Sequence, residues 1–264
     1  MAFDLTTYLE RVGRPADLAS PTADALVRLH YAHATSIPFE NLDIHLGRPI
    51  RIDLASVAAK LVDGGRGGYC FEHNTLFAAA LEALGFEVTR LAARVLMGGP
   101  GVTRPRTHML LRVAADGADW LSDVGFGGAT PLGPVPLAPG EEIRFGDWTY
   151  RLGHDESLWT LQLRQEKGWL DLYEFTEEPQ LPEDYEMANY FTSTHPSSGF
   201  VQAITAQAPG PQLQVVLRGR ELAEHRPDGV TTRPIQSDDD LLQVLSTRFG
   251  LVFPAGTRFT APTG

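Results

Sequence analysis

The sequence holds one cysteine, Cys70, in 264 residues, so no disulfide can form within the chain. That suits a reducing compartment, and a cytoplasmic location is the expectation. No apolar run approaches the ~18 residues that read as a membrane span. Residues 1–11, M-A-F-D-L-T-T-Y-L-E-R, lack the basic and apolar regions of a secretory signal. Positive charge is scarce: the formal net charge is −11, which argues against nucleic acid or an anionic membrane as partner. Two local basic pairs, Arg104 with Arg106 and Arg218 with Arg220, read as solvated surface. Repeats, heptads and low-complexity tracts are missing, which sets aside solenoids and coiled coils. A composition 43% hydrophobic and 21% charged is that of an ordinary globular chain. Its length allows one large core or two to three smaller ones.

The first 85 residues carry helical patterns. One covers 4–12 and stops at Gly13. A second runs from Pro21 to about Ala34 with Ser20 as its cap. Asp53 caps a third over 54–62. The stretch 70–84, C-F-E-H-N-T-L-F-A-A-A-L-E-A-L, sets Phe77, Leu81 and Leu84 on one face before Gly85. From Phe86 the pattern turns to short β-branched or aromatic segments, 86–96, 107–113, 119–124, 143–152, 157–165 and 168–175, which predict an antiparallel sheet or barrel. Beyond residue 183 the order is mixed: a helix near 184–191, strand patterns at 200–206 and 212–218, and a helix over 238–249. That last helix has Ser237 as cap, three Asp in its first turn and Gly250 at its end. A helical, then β, then mixed series predicts an α+β chain of two or three packed subdomains.

The lone thiol sits in R-G-G-Y-C-F-E-H-N (66–74), behind the glycines of D-G-G-R-G-G-Y. At the first turn of a helix it faces unpaired N–H groups and the positive end of the dipole, which favour thiolate over thiol. A nucleophilic thiol needs a base, usually His, held by a third group. Of the eight histidines, His30 and His33 share a helix with no third ligand nearby, so they read as surface residues and no metal site is expected. His73 is on the Cys70 helix, but the lean of helical side chains leaves its aim unassured. His108 is better placed. Segments T-H-M-L-L-R-V (107–113) and W-L-S-D-V (120–124) form a hairpin pattern around A-A-D-G-A-D. A loop over 114–117 sets His108 opposite Asp123; a two-residue Asp116-Gly117 loop makes them diagonal neighbours on one face. Either brings Cys70, His108 and Asp123 into the form of a thiol triad.

These residues resemble the arylamine N-acetyltransferase family, through R-G-G-Y-C-F-E-H-N, P-F-E-N-L-D (38–43), T-H-M (107–109), S-D-V-G-F-G-G (122–128) and S-T-H-P-S-S (193–198). The last ~60 residues offer little to match. The resemblance implies an N-terminal helical bundle (1–85), a central antiparallel β-barrel (86–182) and a C-terminal α/β lid (183–264), with a papain-like Cys-His-Asp arrangement. It implies a ping-pong reaction in which acetyl-CoA acetylates Cys70 and an arylamine, arylhydrazine or arylhydroxylamine takes the acetyl group. His108 is then the base and Asp123 its orienter. Acetyl-CoA is implied as co-substrate, with no metal or tightly bound prosthetic group.

Weaker implications concern the surroundings. Gly125, Phe126, Gly127 and Gly128 resemble the loop beside the CoA pyrophosphate. Phe39, Phe126 and Phe200 resemble the aromatic acceptor pocket, and His195 belongs to the segment that approaches it. Glu40 and Arg66 resemble an ion pair supporting the Cys loop. Gly199 stands where relatives often carry a larger polar residue. The same triad would also serve an amide synthase acting on a polyketide-like acyl chain. A thiol hydrolase or transglutaminase, or a fold that only binds aromatic ligands, fits the motif set less well.

Overall fold

The computed structural model describes residues 3–16, 18–97 and 104–260; the outermost ends of the expected units, 1–2 and 261–264, lie outside them. Helices α1 (Leu5–Arg11), α2 (Ala23–Ser36), α3 (Leu42–His45), α4 (Leu54–Ala58) and α5 (Cys70–Ala83) come first, with a short strand β1 (Phe39–Glu40) between α2 and α3. The caps explain the starts. The Asp4 carboxylate accepts the Thr6 N–H before α1, and Asp53 caps α4 as expected. Helix α2 begins later than the Ser20 cap predicts, because the extended Thr22 offers its hydroxyl to the Ala25 N–H. After α4 the chain widens into a π-turn, Ala59–Asp63.

Strands β2 (Glu87–Val95), β3 (His108–Ala115), β4 (Ala118–Ser122), β5 (Val135–Pro136), β6 (Ile143–Phe145), β7 (Trp148–Asp155), β8 (Leu158–Gln165) and β9 (Gly168–Phe175) follow. They form an antiparallel sheet in the order β5-β4-β3-β2-β9-β8-β7-β6. The sheet curls until Pro139, beyond β5, bridges Leu152 of β7. Its inner face buries Leu91, Leu110, Leu121, Tyr150, Leu161 and Tyr173. The other face of β3 turns Met109, Leu111 and Val113 into the helical core, beside Leu26, Leu29, Phe77 and Leu81. This double burial is why β3 reads as a nearly continuous apolar run rather than an alternating one.

The last part holds α6 (Pro182–Thr194), α7 (Gly199–Gln202), β10 (Thr205–Ala208), β11 (Gln214–Arg218), β12 (Glu221–Arg226), β13 (Gly229–Pro234) and α8 (Asp238–Phe249). Segment 200–206 is not one strand. The Ser198 hydroxyl accepts the Phe200 N–H and starts a helical turn, and the strand begins only at Thr205. Helix α8 keeps its predicted cap at Ser237 and ends at Gly250 with φ +67°, a conformation glycine adopts without strain. The second sheet runs β1-β10-β11-β12-β13, so residues 39–40 leave the helical part to become its edge. A third core, with Leu42, Leu217, Leu241 and Leu245, lies there. Among the described residues no helix is long and apolar enough to cross a membrane.

Candidate active site

Three elements meet at the site. The β3–β4 hairpin closes through the two-residue Asp116-Gly117 turn, with φ of 50° and 75°, and pairs Ala115 with Ala118 and Leu111 with Ser122. That register makes His108 and Asp123 diagonal neighbours, the second of the two expected geometries. His108 Nε2 donates to Asp123 Oδ2 at 2.6 Å, with both side chains buried. Nδ1 of His108 is therefore the nitrogen left to accept a proton.

Cys70 opens α5, is buried, and its thiol lies 3.6 Å from the Thr107 carbonyl, one residue before His108. Burial alone would lower the basicity of His108. The charge and hydrogen bond of Asp123, and then Cys70, outweigh it, and the imidazole is raised to about 10. Burial correspondingly works to raise Asp123, but His108 dominates and holds the carboxyl below its usual range. Asp123 thus makes His108 a stronger proton acceptor than a free imidazole, its burial notwithstanding.

Sequence reasoning missed two further residues. Asn74, one turn after Cys70 on α5, donates from Nδ2 to Asp123 Oδ1 at 3.0 Å and to the Met109 carbonyl at 2.7 Å. It ties the thiol's helix to the hairpin; its position four residues after Cys70 on one helical face was the available signal. Tyr173 of β9 packs its ring 4.9 Å from His108 and from Phe126. Among the described residues its buried hydroxyl has no hydrogen-bond partner. No local motif announces a contact made through strand pairing.

The other histidines have different places. His30 and His33 are fully buried, not on the surface. They fall with Leu26 and Leu29 on the inward stripe of α2, and each finds partners there. His30 meets the Ser122 hydroxyl at 3.0 Å and donates to the Pro131 carbonyl at 2.9 Å. His73 Nε2 donates to the Pro38 carbonyl at 3.2 Å, so its Nδ1 accepts from His33 Nε2 at 3.0 Å. Nδ1 of His33 in turn accepts from the Tyr8 hydroxyl at 2.9 Å. Both nitrogens of His73 are committed, so it has none to offer the thiol. Burial, the first cause, brings His73 and His30 down to about 4.

The expected loop residues follow. The Gly125 N–H donates to Asp123 Oδ1 at 2.9 Å. A Cβ on Gly125 would lie 2.9 Å from both Cys70 Cα and Asn74 Nδ2, so only glycine lets this backbone close on the thiol's helix. Phe126 is half-buried with its ring 5.0 Å from His108. Gly127 has φ +79°, and a Cβ there would meet Gln207 Oε1 at 2.5 Å. The Gly128 N–H donates to that same Gln207 oxygen at 2.7 Å. Phe39 is buried, 5.9 Å from Phe200 and stacked on His73 at 6.3 Å, while Phe200 also lies 5.7 Å from Tyr69. His195 is exposed and stacks on Phe191. Arg66 grips Glu40 at 2.6 Å, the ion pair foreseen.

Comparison with known proteins follows the same lines. A family described as N-acetyltransferase matches residues 22–257. The chain is 42% identical over 260 residues to the arylamine N-acetyltransferase of Mycolicibacterium smegmatis, covering 95% of this chain and 93% of that one. It is similar to the arylamine N-acetyltransferase / N-hydroxyarylamine O-acetyltransferase of Salmonella typhimurium, 42% identical over 183 residues, 69% of this chain and 65% of that one. Among solved structures it matches Nocardia farcinica arylamine N-acetyltransferase with a TM-score of 0.89 at 43% identity, covering 96% and 91% of the two chains. It also matches Mycobacterium marinum arylamine N-acetyltransferase in complex with CoA, with a TM-score of 0.89 at 38% identity, covering 94% and 92%.

Proposed function

The chain belongs to the arylamine N-acetyltransferase family, and we propose that it carries the acetyl group on Cys70, with His108 as base and Asp123 orienting His108. The activity, acetyl transfer from acetyl-CoA to an arylamine, is that of the family, as is the α+β fold. The amide synthase reading is not favoured, since the relatives are acetyltransferases. One observation carries the residue assignment: the 2.6 Å His108–Asp123 bond beside the chain's sole thiol.

The chemistry follows from it. The Cys70 thiol loses its proton to His108, and the thiolate adds to the thioester carbonyl of acetyl-CoA. The tetrahedral intermediate collapses to acetyl-Cys70, and the departing CoA thiolate takes the proton from His108. An aryl nitrogen, largely neutral near pH 7, then adds to acetyl-Cys70 while His108 takes its proton, and the thiolate leaves. N–H groups at the start of α5 serve as oxyanion donors, but not that of Tyr69, which already donates to Glu72.

The finer assignments rest on the same reading. CoA lies beside Gly125, Phe126, Gly127 and Gly128, and the aryl ring against Phe126, Phe200 and Phe39. Hydrazines and hydroxylamines are acceptors too; the second activity in the Salmonella relative's name supports the latter. We take 1–85, 86–182 and 183–264 as the units that bring the parts together. The enzyme works in the cytoplasm on foreign aryl amines, in keeping with its single reduced cysteine.

Incubation with acetyl-CoA alone should add one acetyl group to the intact chain, and Cys70→Ala should abolish it. An acetylated Cys70→Ala chain, or an unmodified wild type, would discard the assignment.

A further inference from the structure

Beneath the R-G-G-Y loop lies a cluster of charged side chains that the acyl-transfer scheme does not use. Glu72, in the first turn of α5, is almost completely buried. Its Oε2 accepts the Tyr69 N–H at 3.0 Å, and its Oε1 accepts from Lys60 Nζ at 2.7 Å. The same ammonium reaches Asp43 Oδ2 at 3.1 Å. Lys60 belongs to the π-turn after α4, a local widening frequent at functional sites. The carboxylate presses on bare backbone, since a Cβ on Gly68 would come within 2.6 Å of Glu72 Oε2. On the other side of the loop, Arg66 holds Glu40 and Asp43, and Glu40 N–H donates to the Gly68 carbonyl at 2.7 Å. Residues 66–69 are thus clamped between two cation–carboxylate pairs that share Asp43.

The clamp is unequal. Arg66 and its two acids are one unit, but Glu72 has Lys60 as its cation. Burial works to push Glu72 up, to about 7, against the pull of Lys60, with Glu40 adding to the rise. Burial opposes the Lys60 charge as well, yet Glu72, Glu40 and Asp43 more than offset it and the ammonium is favoured. His73 and Tyr69 also face this cluster, the first kept neutral by burial and bonded elsewhere. Taking away the ammonium leaves three buried carboxylates facing the Arg66 guanidinium and, at Asp43 alone, the exposed Arg48. Either Glu72 then loses its charge and its firm hold on the Tyr69 N–H, or an uncompensated anion stands in the same helical turn as Cys70. Both outcomes make Cys70 less reactive.

We propose that Lys60 is a positioning residue for acetyl transfer: acting through Glu72, it fixes the Tyr69–Cys70 turn and offsets the carboxylate charge beside the thiol. The inference rests on Cys70 being the acetyl carrier. Alkylation of Cys70 by iodoacetamide, followed by intact mass, reads it without that assumption, because the chain has no other cysteine.

In the full chain, Lys60→Met should slow Cys70 alkylation and kcat by about tenfold, a loss of about 1.4 kcal/mol. KM for acetyl-CoA should stay near wild type, and Lys60→Arg should recover most of the rate. In a Glu72→Gln background, Lys60→Met should add less than about twofold, since residues acting through one another are not additive. Unchanged alkylation in Lys60→Met, or additive losses in the double variant, would overturn the proposal. If Lys60→Met does not fold, Lys60→Met with Glu72→Gln must recover a folded chain with reactive Cys70; failure to do so would also overturn it. Normal clamp behaviour with no acetyl adduct would instead count against Cys70 as carrier.

Discussion

His73 and His108 are both sealed from water, at 1% and 3% exposure, yet the protein makes opposite use of them. His73 sits among neutral partners, the Pro38 carbonyl and the His33 ring, and burial keeps it uncharged. His108 faces a carboxylate, and burial then strengthens the attraction it would otherwise defeat. The difference is the partner, not the depth. A buried imidazole among carbonyls and other imidazoles is a structural strut; one set against an aspartate gains proton affinity. Histidine proximity to a thiol in sequence says nothing of this choice, since His73 is the nearer of the two along the chain.

Removing the carboxylate breaks the contrast most severely. Asp123→Asn preserves the shape of the site but reverses the polarity of one hydrogen bond, so His108 is no longer held with Nδ1 as acceptor. The chain should fold, and the rate of Cys70 acetylation, followed in a single turnover, should drop by about 10⁴, the scale of such losses in hydroxyl triads. Near-normal acetylation would mean that Asp123 does not orient the base. His73→Gln should do the reverse. It breaks the Tyr8–His33–His73 chain and leaves buried polar groups unpaired, at a cost of about 1–3 kcal/mol in chemical denaturation, with kcat far less affected than by Asp123→Asn.

The same contrast sets the pH response of stability. His30 and His73 fall from 6.5 to about 4 on folding. Their depressed values mean that the unfolded chain binds more protons, so stability declines as pH falls from 6.5 toward 4. His108 is raised from 6.5; its contribution is complete below 6.5 and is lost as pH rises through about 10. The thermal midpoint should therefore fall on both sides of neutrality. His73→Gln should flatten the acid side, and Asp123→Asn the alkaline side. Exchange of those two effects would mean that the charge assignments are reversed.

How far these features could be read in advance depends on how local they are. Cys70, His108 and Asp123 were legible because each sits in a short motif and because hairpin register is arithmetic: only an even loop keeps the two hairpin residues on one face. The starts of α4, α5 and α8 followed from Asp53, the glycines and Ser237. His30 and His33 were misread because polarity was weighed above position, although Leu26, Leu29, His30 and His33 share one helical stripe. Strands β12 and β13, E-L-A-E-H-R and G-V-T-T-R-P, carry mostly polar residues and, apart from the buried Leu222, are half-exposed or exposed. Nothing apolar in them alternates strongly enough to announce a strand. Lys60 and Glu72 meet across a turn and a helix start, and Tyr173 reaches His108 through strand pairing. No sequence spacing encodes either contact.

Glycines give the smallest version of the contrast between a site that is shaped and one that is merely open. Gly125→Ala forces a methyl to 2.9 Å from Cys70 Cα, where backbone cannot yield cheaply. It should cost about 1–3 kcal/mol and slow acetylation as the hairpin moves off α5. Among the described residues Gly199, at the start of α7, has only Arg218 Nη2 near its missing Cβ, at 3.5 Å, the far end of a flexible side chain. Its backbone shows no positive φ, and alanine is the better helix former. Gly199→Ala should therefore stay within about 0.5 kcal/mol of wild type, with unchanged acetylation of Cys70. A loss as large as that of Gly125→Ala would show that the space over Gly199 is filled in the working enzyme, and titration with acetyl-CoA, comparing KM in the two variants, would tell whether the donor fills it.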